Sequence, residues 1–292
     1  MEVKQITTEF VQNIITERPA DMHKGQAGRV LIIAGSKGMA GAAVLASRGA
    51  LYSGAGLVKV SVAEELFNIL QTTVPEAMCI DREEAAKADL NVYDAICIGP
   101  GIGTGEDAMS LLYRVVSDYE GPLVIDADGI NCLCKYGAGE EVFEPIRRRK
   151  GITVFTPHPG EADRMLKAFG LASCKELGRE KTVSELAMKT GGIVLLKGAP
   201  TLIADPTMNM MVIYENPTGN PGMATGGSGD VLSGMLTSLL AQKHLTAAPG
   251  ERACAAAFLH GLAGDIAAEN IGEYGMTSAD IADAVAAAFH AL

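Results

Sequence analysis

Short runs of aliphatic and β-branched residues alternate along this chain with longer Ala- and Gly-rich stretches, and that alternation constrains the fold more than any other feature. RVLIIAG at 29–35 is continuously apolar, as a strand covered on both faces must be. GAAVLASRGALYSGAG, which follows it, has a helix's composition with small residues suited to close packing. LVKVSV, DAICIGPG, PLVIDAD, ITVFTPHPG and GIVLLKGA repeat the strand-then-loop unit, with helical stretches at 105–119, 159–169 and 178–190 between them. TLIAD and MNMMVIY read as a hairpin or as two adjacent strands. The C-terminal third reads as three helices, near 225–241, 251–270 and 277–291. In the first of these, Val231, Leu232, Met235, Leu236, Leu239 and Leu240 keep one face apolar. An α/β fold follows, with a mostly parallel sheet covered on both faces.

The 292 residues are long enough for a sizeable core, and 48% hydrophobic content excludes general disorder. With no repeat, low-complexity tract or polar linker, residues 1–292 read as a single domain. Lys and Arg number 24 against 35 Asp and Glu, a formal charge of −11. That balance argues against nucleic acid or anionic membrane as a general partner, though one small anion in a local pocket stays compatible with it. The six cysteines form no CxxC pair or zinc spacing and lie mostly in apolar runs, which points to buried reduced thiols. MEVKQITTEF carries no apolar signal core, and the apolar runs are too short to span a bilayer. A soluble cytoplasmic protein is expected.

In parallel sheets ligands collect where the strand C-termini emerge. Here the loops in those positions are GSKGMAGAA, GPGIGTGED, DADGIN, TPHPGEAD, KGAPT and NPTGNPGMATGGSGD. Each is rich in Gly, Pro or small polar residues. In the last, Gly226, Gly227, Ser228 and Gly229 lead into a lone acid, Asp230, as the apolar helix begins. A helix N-terminus presents unpaired N–H donors and a partial positive charge, and glycines let a phosphate approach the backbone. A carboxylate there does not hold an anion, but it can take a proton from a hydroxyl about to attack a phosphoryl group. The plainer alternative is an Asp that complements the helix dipole after a flexible turn. Neither the GxxxxGK[ST] pattern nor an intact GxGxxG is present.

The other loops carry similar pairs of readings. His158 stands between two prolines in TPHPGE, stiffly placed either for ligand contact or for structure. Glu161 either binds a hydrated Mg²⁺ or caps the helix that follows. Lys197, in KGAPT, either meets phosphate at the sheet's mouth or is a solvated lysine at a hairpin start, and the backbone of Gly198 and Ala199 could approach a nucleotide. Asp126 ends a buried strand, where a carboxylate is costly unless paired or liganded. Asp128 and Asn131 read as caps, and GPGIG as a close approach to ligand or a strand-ending turn.

In this chain order, GPGIG, TPHPGE, KGAPT and NPTGNPGMATGGSGD resemble the ADP-dependent NAD(P)H-hydrate dehydratases, a branch of the ribokinase-like superfamily. The resemblance runs from about Lys24, in HKGQAGRVLIIAGS, to the last helix. It implies a ribokinase-like three-layer α/β/α fold with a mostly parallel central sheet. It also implies repair of damaged cofactors: the hydroxyl on the ring of the S-epimer of hydrated NADH or NADPH is phosphorylated from ADP, and phosphate is then eliminated. Asp230 would be the base, Gly226, Gly227, Ser228 and Gly229 the phosphate hole, and Mg²⁺ the counter-charge. Lys197, Gly198, Ala199, Pro200, Thr201 and Gly229 would contact ADP or AMP. Ala42, Gly103, His158 and Asp230 would line the dinucleotide site, with Asn216 and Asn220 shaping the loop between the two.

Two departures from the wider superfamily stand out. His158-Pro-Gly-Glu161 occupies what looks like the place of an Asn-x-x-Glu metal motif, which favours the dehydratase branch. The first 25 residues are also too few for the epimerase domain fused to some relatives, so a separate epimerase is the expected pathway partner. The resemblance further implies a homo-oligomer such as a tetramer. The rival readings are an ATP-dependent kinase of a vitamin-precursor alcohol, of hydroxymethylpyrimidine or hydroxyethylthiazole type, and a nucleotide-binding regulator without catalysis.

Overall fold

Arg29–Ile33 shows how the layers arise: Val30 and Ile32 enter one apolar core, while Leu31 and Ile33 enter another on the opposite side of the sheet. The computed structural model describes residues 2–136, 139–207 and 212–292. Its strands are β1 (Glu2–Gln5), β2 (Arg29–Ile33), β3 (Leu57–Ser61), β4 (Met78–Ile80), β5 (Ala95–Ile98), β6 (Leu123–Ile125), β7 (Thr153–Phe155), β8 (Ile193–Leu196), β9 (Thr201–Ala204) and β10 (Val212–Asn216). They form one sheet in the order β1-β10-β9-β8-β7-β6-β5-β2-β3-β4. Only the β8–β9 and β9–β10 pairings are antiparallel among the described residues.

The same two-way division runs through the centre of the sheet. Cys97, Val124, Val154 and Leu195 face one core, and Ile98, Ile125, Phe155 and Leu196 face the other. Helices Ala40–Tyr52, Ser228–Ala241, Pro249–Ile271 and Ser278–His290 cover the first face, and Glu106–Asp118, Asp128–Tyr136, Pro159–Ala168 and Arg179–Thr190 the second. This is the expected three-layer α/β/α arrangement with a mostly parallel sheet. Among the described residues no helix is long and apolar enough to cross a membrane.

Close helix packing does depend on the small residues. A Cβ on Gly234 would stand 1.9 Å from the Ala46 carbonyl oxygen, and one on Gly49 would stand 2.3 Å from that of Val231. Helices Ala40–Tyr52 and Ser228–Ala241 are therefore locked backbone to backbone. The latter begins at Ser228, so residues 225–227, which the periodicity assigns to the helix, belong to the turn. The hairpin reading of TLIAD and the strand after it holds for β9 and β10, while Met208, Asn209, Met210 and Met211 lie outside the described residues. β1 escapes sequence reading because its EVKQ is exposed throughout, so no apolar pattern marks it.

Candidate active site

The parallel register puts the C-termini of β2, β5, β6, β7, β8 and β10 at one end of the sheet, and every suspected loop leaves from one of them. At the centre lies Lys197, one residue past β8, whose Nζ is 2.9 Å from Asp126 Oδ1 and 3.9 Å from Glu161 Oε2. Asp126 follows β6 and is 1% exposed; its second oxygen accepts a 2.6 Å hydrogen bond from Ser233 Oγ on the helix after the Gly-rich turn. Burial alone would raise the Asp126 carboxyl, but the Lys197 ammonium and the Lys197 and Ser233 hydrogen bonds outweigh it and hold it below the ordinary range. Burial likewise opposes the Lys197 charge, and Asp126 and Glu161 override it, so the ammonium stays protonated. Lys197 is thus not a solvated lysine: its side chain is 19% exposed and committed to an ion pair.

The Gly-rich turn closes over this pair. Gly227 has φ +96° and caps the helix; a Cβ there would clash with Leu45 at 2.3 Å, so both conformation and space demand glycine. A Cβ on Gly229 would lie 3.1 Å from Lys197 Nζ, which places the ammonium against the first turn of the helix. Nothing approaches within 4 Å of a Cβ built on Gly226, and its carbonyl is held by the Ser278 hydroxyl. The Ser228 hydroxyl is 3.4 Å from Nε2 of buried His260, whose imidazole is lowered to about 4 by burial and is neutral. Asp230 lies in that same first turn, half-buried. Desolvation pushes its carboxyl up to about 7, the Asp126 charge adds to the rise, and Lys197 opposes it. One cation among three carboxylates leaves Asp230 poised to exchange a proton near neutrality.

His158 and Glu161 form a capping box on helix Pro159–Ala168. His158 Nδ1 accepts from the N–H groups of Gly160 (3.0 Å) and Glu161 (3.3 Å), so its proton sits on Nε2, 3.3 Å from Glu161 Oε1. Glu161 Oε2 accepts the His158 N–H at 2.9 Å. The capping reading of Glu161 is therefore realised in full. Burial, Lys197 and Arg164 lower the His158 pKa, so its half-exposed ring is neutral.

A second group adjoins this one through the GPGIG turn. A Cβ on Gly101 would meet the Ala42 methyl at 2.9 Å, and the Gly103 N–H donates to Asp128 Oδ2 at 2.9 Å. Gly103 has φ +81° and open space above it. Gly198 and Pro200 lie beside Arg179, whose guanidinium donates to the carbonyls of Leu196 (3.2 Å), Lys197 (3.4 Å) and Pro200 (2.6 Å) and so fixes the KGAPT loop; Ala199 is exposed, and Thr201 Oγ1 donates to Gly198 O at 3.0 Å. The hydrogen bonds of Asn216 and Asn220 go to their own loop and to helix Pro249–Ile271. Asn216 Nδ2 donates to Thr218 O and Ala257 O, and Asn220 bridges Asp265 and the Gly222 N–H, so both side chains hold the shape of the NPTGNPG loop. Sequence reasoning missed Ser233 and Arg179. Ser233 left one trace, a hydroxyl within an otherwise apolar helical stripe.

A profile built from the NAD(P)H-hydrate dehydratase family matches residues 30–287. The chain belongs to that family. Among its relatives within the NAD(P)H-hydrate dehydratase family is the bifunctional NAD(P)H-hydrate repair enzyme of Coxiella burnetii, 39% identical over 92% of this chain and 51% of its own length. This chain thus spans about half of that relative. The ADP-dependent (S)-NAD(P)H-hydrate dehydratase of Neisseria meningitidis is 36% identical over 93% of this chain and 88% of its own. Among solved structures, the ADP/ATP-dependent NAD(P)H-hydrate dehydratase of Bacillus subtilis, co-crystallised with ATP and Mg²⁺, superposes with a TM-score of 0.86 at 31% identity, covering 100% of this chain and 99% of its own. The fold is the ribokinase-like one that the resemblance implies.

Proposed function

We propose that this chain dehydrates the S-epimer of hydrated NADH and NADPH at the expense of ADP, releasing AMP and phosphate. The observation that carries the reading is Asp230: a carboxyl raised to about 7, set in the first turn of a helix behind a glycine turn with clear space above Gly226. Family membership and the ADP-dependent relative of N. meningitidis support it. Asp230 takes the proton of the ring hydroxyl as that oxygen attacks the β-phosphorus of ADP, and the bond to the AMP oxygen breaks. The helix N-terminus and the Lys197 ammonium face the negative charge that gathers on the transferring group. The phosphate then leaves with its carbon–oxygen electron pair, and the neighbouring ring carbon gives up a proton to form the double bond. Gly198 to Thr201, held by Arg179, and Gly229 take the nucleotide, while Ala42, Gly103 and His158 line the side from which the hydrated ring enters.

The site fits Mg²⁺ brought in on the nucleotide better than a resident ion. Among the described residues no group of three His, Cys, Asp or Glu is arranged to hold a metal. Asp126, Asp128 and Glu161 already accept hydrogen bonds on both oxygens or ion-pair there. Glu161 would reach such an ion only through its water shell, which suits a cation that dehydrates reluctantly. When bound, Mg²⁺ neutralises phosphate charge. We place the protein in the cytoplasm, in keeping with six unpaired cysteines, with an epimerase supplying the S form and the chain assembled as a homo-oligomer.

The test is a coupled spectroscopic assay with hydrated NADH, Mg²⁺ and either ADP or ATP, following the return of reduced-nicotinamide absorbance. ADP-dependent recovery with release of AMP and phosphate is expected. No recovery with either nucleotide would overturn the reading.

A further inference from the structure

One stretch of helix Pro249–Ile271, residues 257–265, holds the approach to the glycine turn. Its Ala257 and Phe258 carbonyls accept from Asn216 Nδ2 at 3.2 Å and from Thr218 Oγ1 at 2.8 Å. Its Asp265 carboxylate accepts from the Gly219 N–H and from Asn220 Nδ2, both at 2.9 Å. A Cβ on Gly261 would stand 2.7 Å from the Thr218 carbonyl, so loop and helix touch backbone to backbone. His260, on the same stretch, reaches the glycine turn itself. Its Nε2 is 3.4 Å from Oγ of Ser228, the first residue of the helix that carries Asp230. That distance is long for a hydrogen bond, and its value lies in direction more than in strength.

The direction can be worked out. Burial and the Lys197 charge keep the imidazole neutral, while the Ser228 backbone favours its proton, as a carbonyl does when a ring N–H is aimed at it. Nε2 is the nitrogen that faces Ser228, so the single proton of the neutral ring belongs there. The Ser228 oxygen then accepts from the ring, and its own proton is directed away from His260. Neutrality matters as much as direction. A charged ring would depress the Asp230 carboxyl, as the Lys197 ammonium already does, whereas a neutral one supplies a hydrogen bond without adding charge.

We propose that His260 is a positioning residue for the reaction: its Nε2–H holds the Ser228 oxygen as an acceptor, so that the Ser228 hydroxyl donates to the phosphoryl group carried in the turn. The proposal rests on the dehydratase reading and adds to the phosphate hole a side-chain donor and the residue that aims it. His260 acts through Ser228 and needs no contact with substrate.

The experiment compares His260→Leu, His260→Gln, Ser228→Ala and the double variant Ser228→Ala/His260→Leu. His260→Leu should lower kcat roughly 10-fold with the KM for ADP within about 2-fold, as loss of a donor to developing charge predicts. His260→Gln, whose amide donates from a similar place, should stay within about 3-fold of wild type. In the Ser228→Ala background the leucine substitution should cost less than about 2-fold more, because its effect passes through the missing hydroxyl. Wild-type kcat in His260→Leu, a His260→Gln enzyme as slow as His260→Leu, or losses that multiply in the double variant would each overturn the proposal. Nitrogen NMR of the wild-type imidazoles needs neither turnover nor a stable variant. It should find His260 in the Nε2–H form whether or not the dehydratase reading survives the assay above, and the Nδ1–H form overturns the proposal by itself.

Discussion

Replacing Asp230 by Asn should remove activity and make the protein more stable, and both effects come from one carboxyl. The side chain keeps its shape, so the fold and ADP binding should survive. In the folded chain Asp230 titrates near 7, whereas its ordinary value is 3.8. The folded state therefore holds a proton that the unfolded state has released, and wild-type stability falls as pH rises from about 4 to about 7. Roughly three decades of proton affinity at about 1.4 kcal/mol each set an upper bound of about 4 kcal/mol, reached above pH 7 and reduced in practice by the solvent beside this half-buried group. At pH 5 the same arithmetic gives about 1.7 kcal/mol, and below pH 4 the difference vanishes. The assay is urea denaturation of wild type and Asp230→Asn at pH 5 and pH 8. The variant should be the more stable of the two, with the larger margin at pH 8. Turnover should fall at least roughly 100-fold, as loss of a general base predicts. A variant no more stable at pH 8 than at pH 5 relative to wild type would refute the account of the carboxyl, and near-normal turnover would refute its role.

The remaining expectations are simpler. Wild-type kcat/KM should rise with pH through about 7, because the base acts when deprotonated; a flat profile between pH 6 and 8 would contradict this. Lys197→Met should destabilise by about 3–5 kcal/mol in urea, since it leaves Asp126 and Glu161 buried without their cation. Gly226→Ala should leave stability within about 0.5 kcal/mol yet impair turnover, because the new methyl enters only open space above the turn, whereas Gly234→Ala should cost at least about 2 kcal/mol by driving a methyl into the Ala46 carbonyl. Chelation of Mg²⁺ should abolish turnover and its return should restore it, with no change in thermal stability in the absence of nucleotide.

The layered fold was legible because the central strands are apolar on both faces and the loops that leave β2, β5, β6, β7, β8 and β10 carry glycine or proline. β1 was not legible: an edge strand with four exposed side chains needs no apolar pattern to pair with β10. The site was legible in part for a similar reason. Gly227 and Asp230 announce themselves by type and position. Asp126 was suspect from its place at a strand end, but its partners are 71 residues away at Lys197 and 107 away at Ser233, a juxtaposition that only the sheet order creates. His158 and Glu161 were found with their roles undecided, since the spacing of a metal motif and of a capping box is the same. The structure shows both groups in the cap, with the His158 ring left half-exposed. Arg179 was hidden because its work is done on carbonyl oxygens, which carry no residue type.

The backbone lock between helices Ala40–Tyr52 and Ser228–Ala241 has a consequence for how this site behaves before any ligand arrives. The first helix carries Ala42, the second begins with the glycine turn and Asp230, and their glycines leave no gap in which the helices could slide or part. In the function proposed here the two sides of the site are therefore mounted on one rigid body, and the entropy of bringing them together has been spent in folding rather than at each encounter. Opening this region would mean losing the core beneath it. Amide protons along residues 231–240 should accordingly exchange with solvent only by global unfolding, so that a working edge of the molecule shares the protection of its deepest interior.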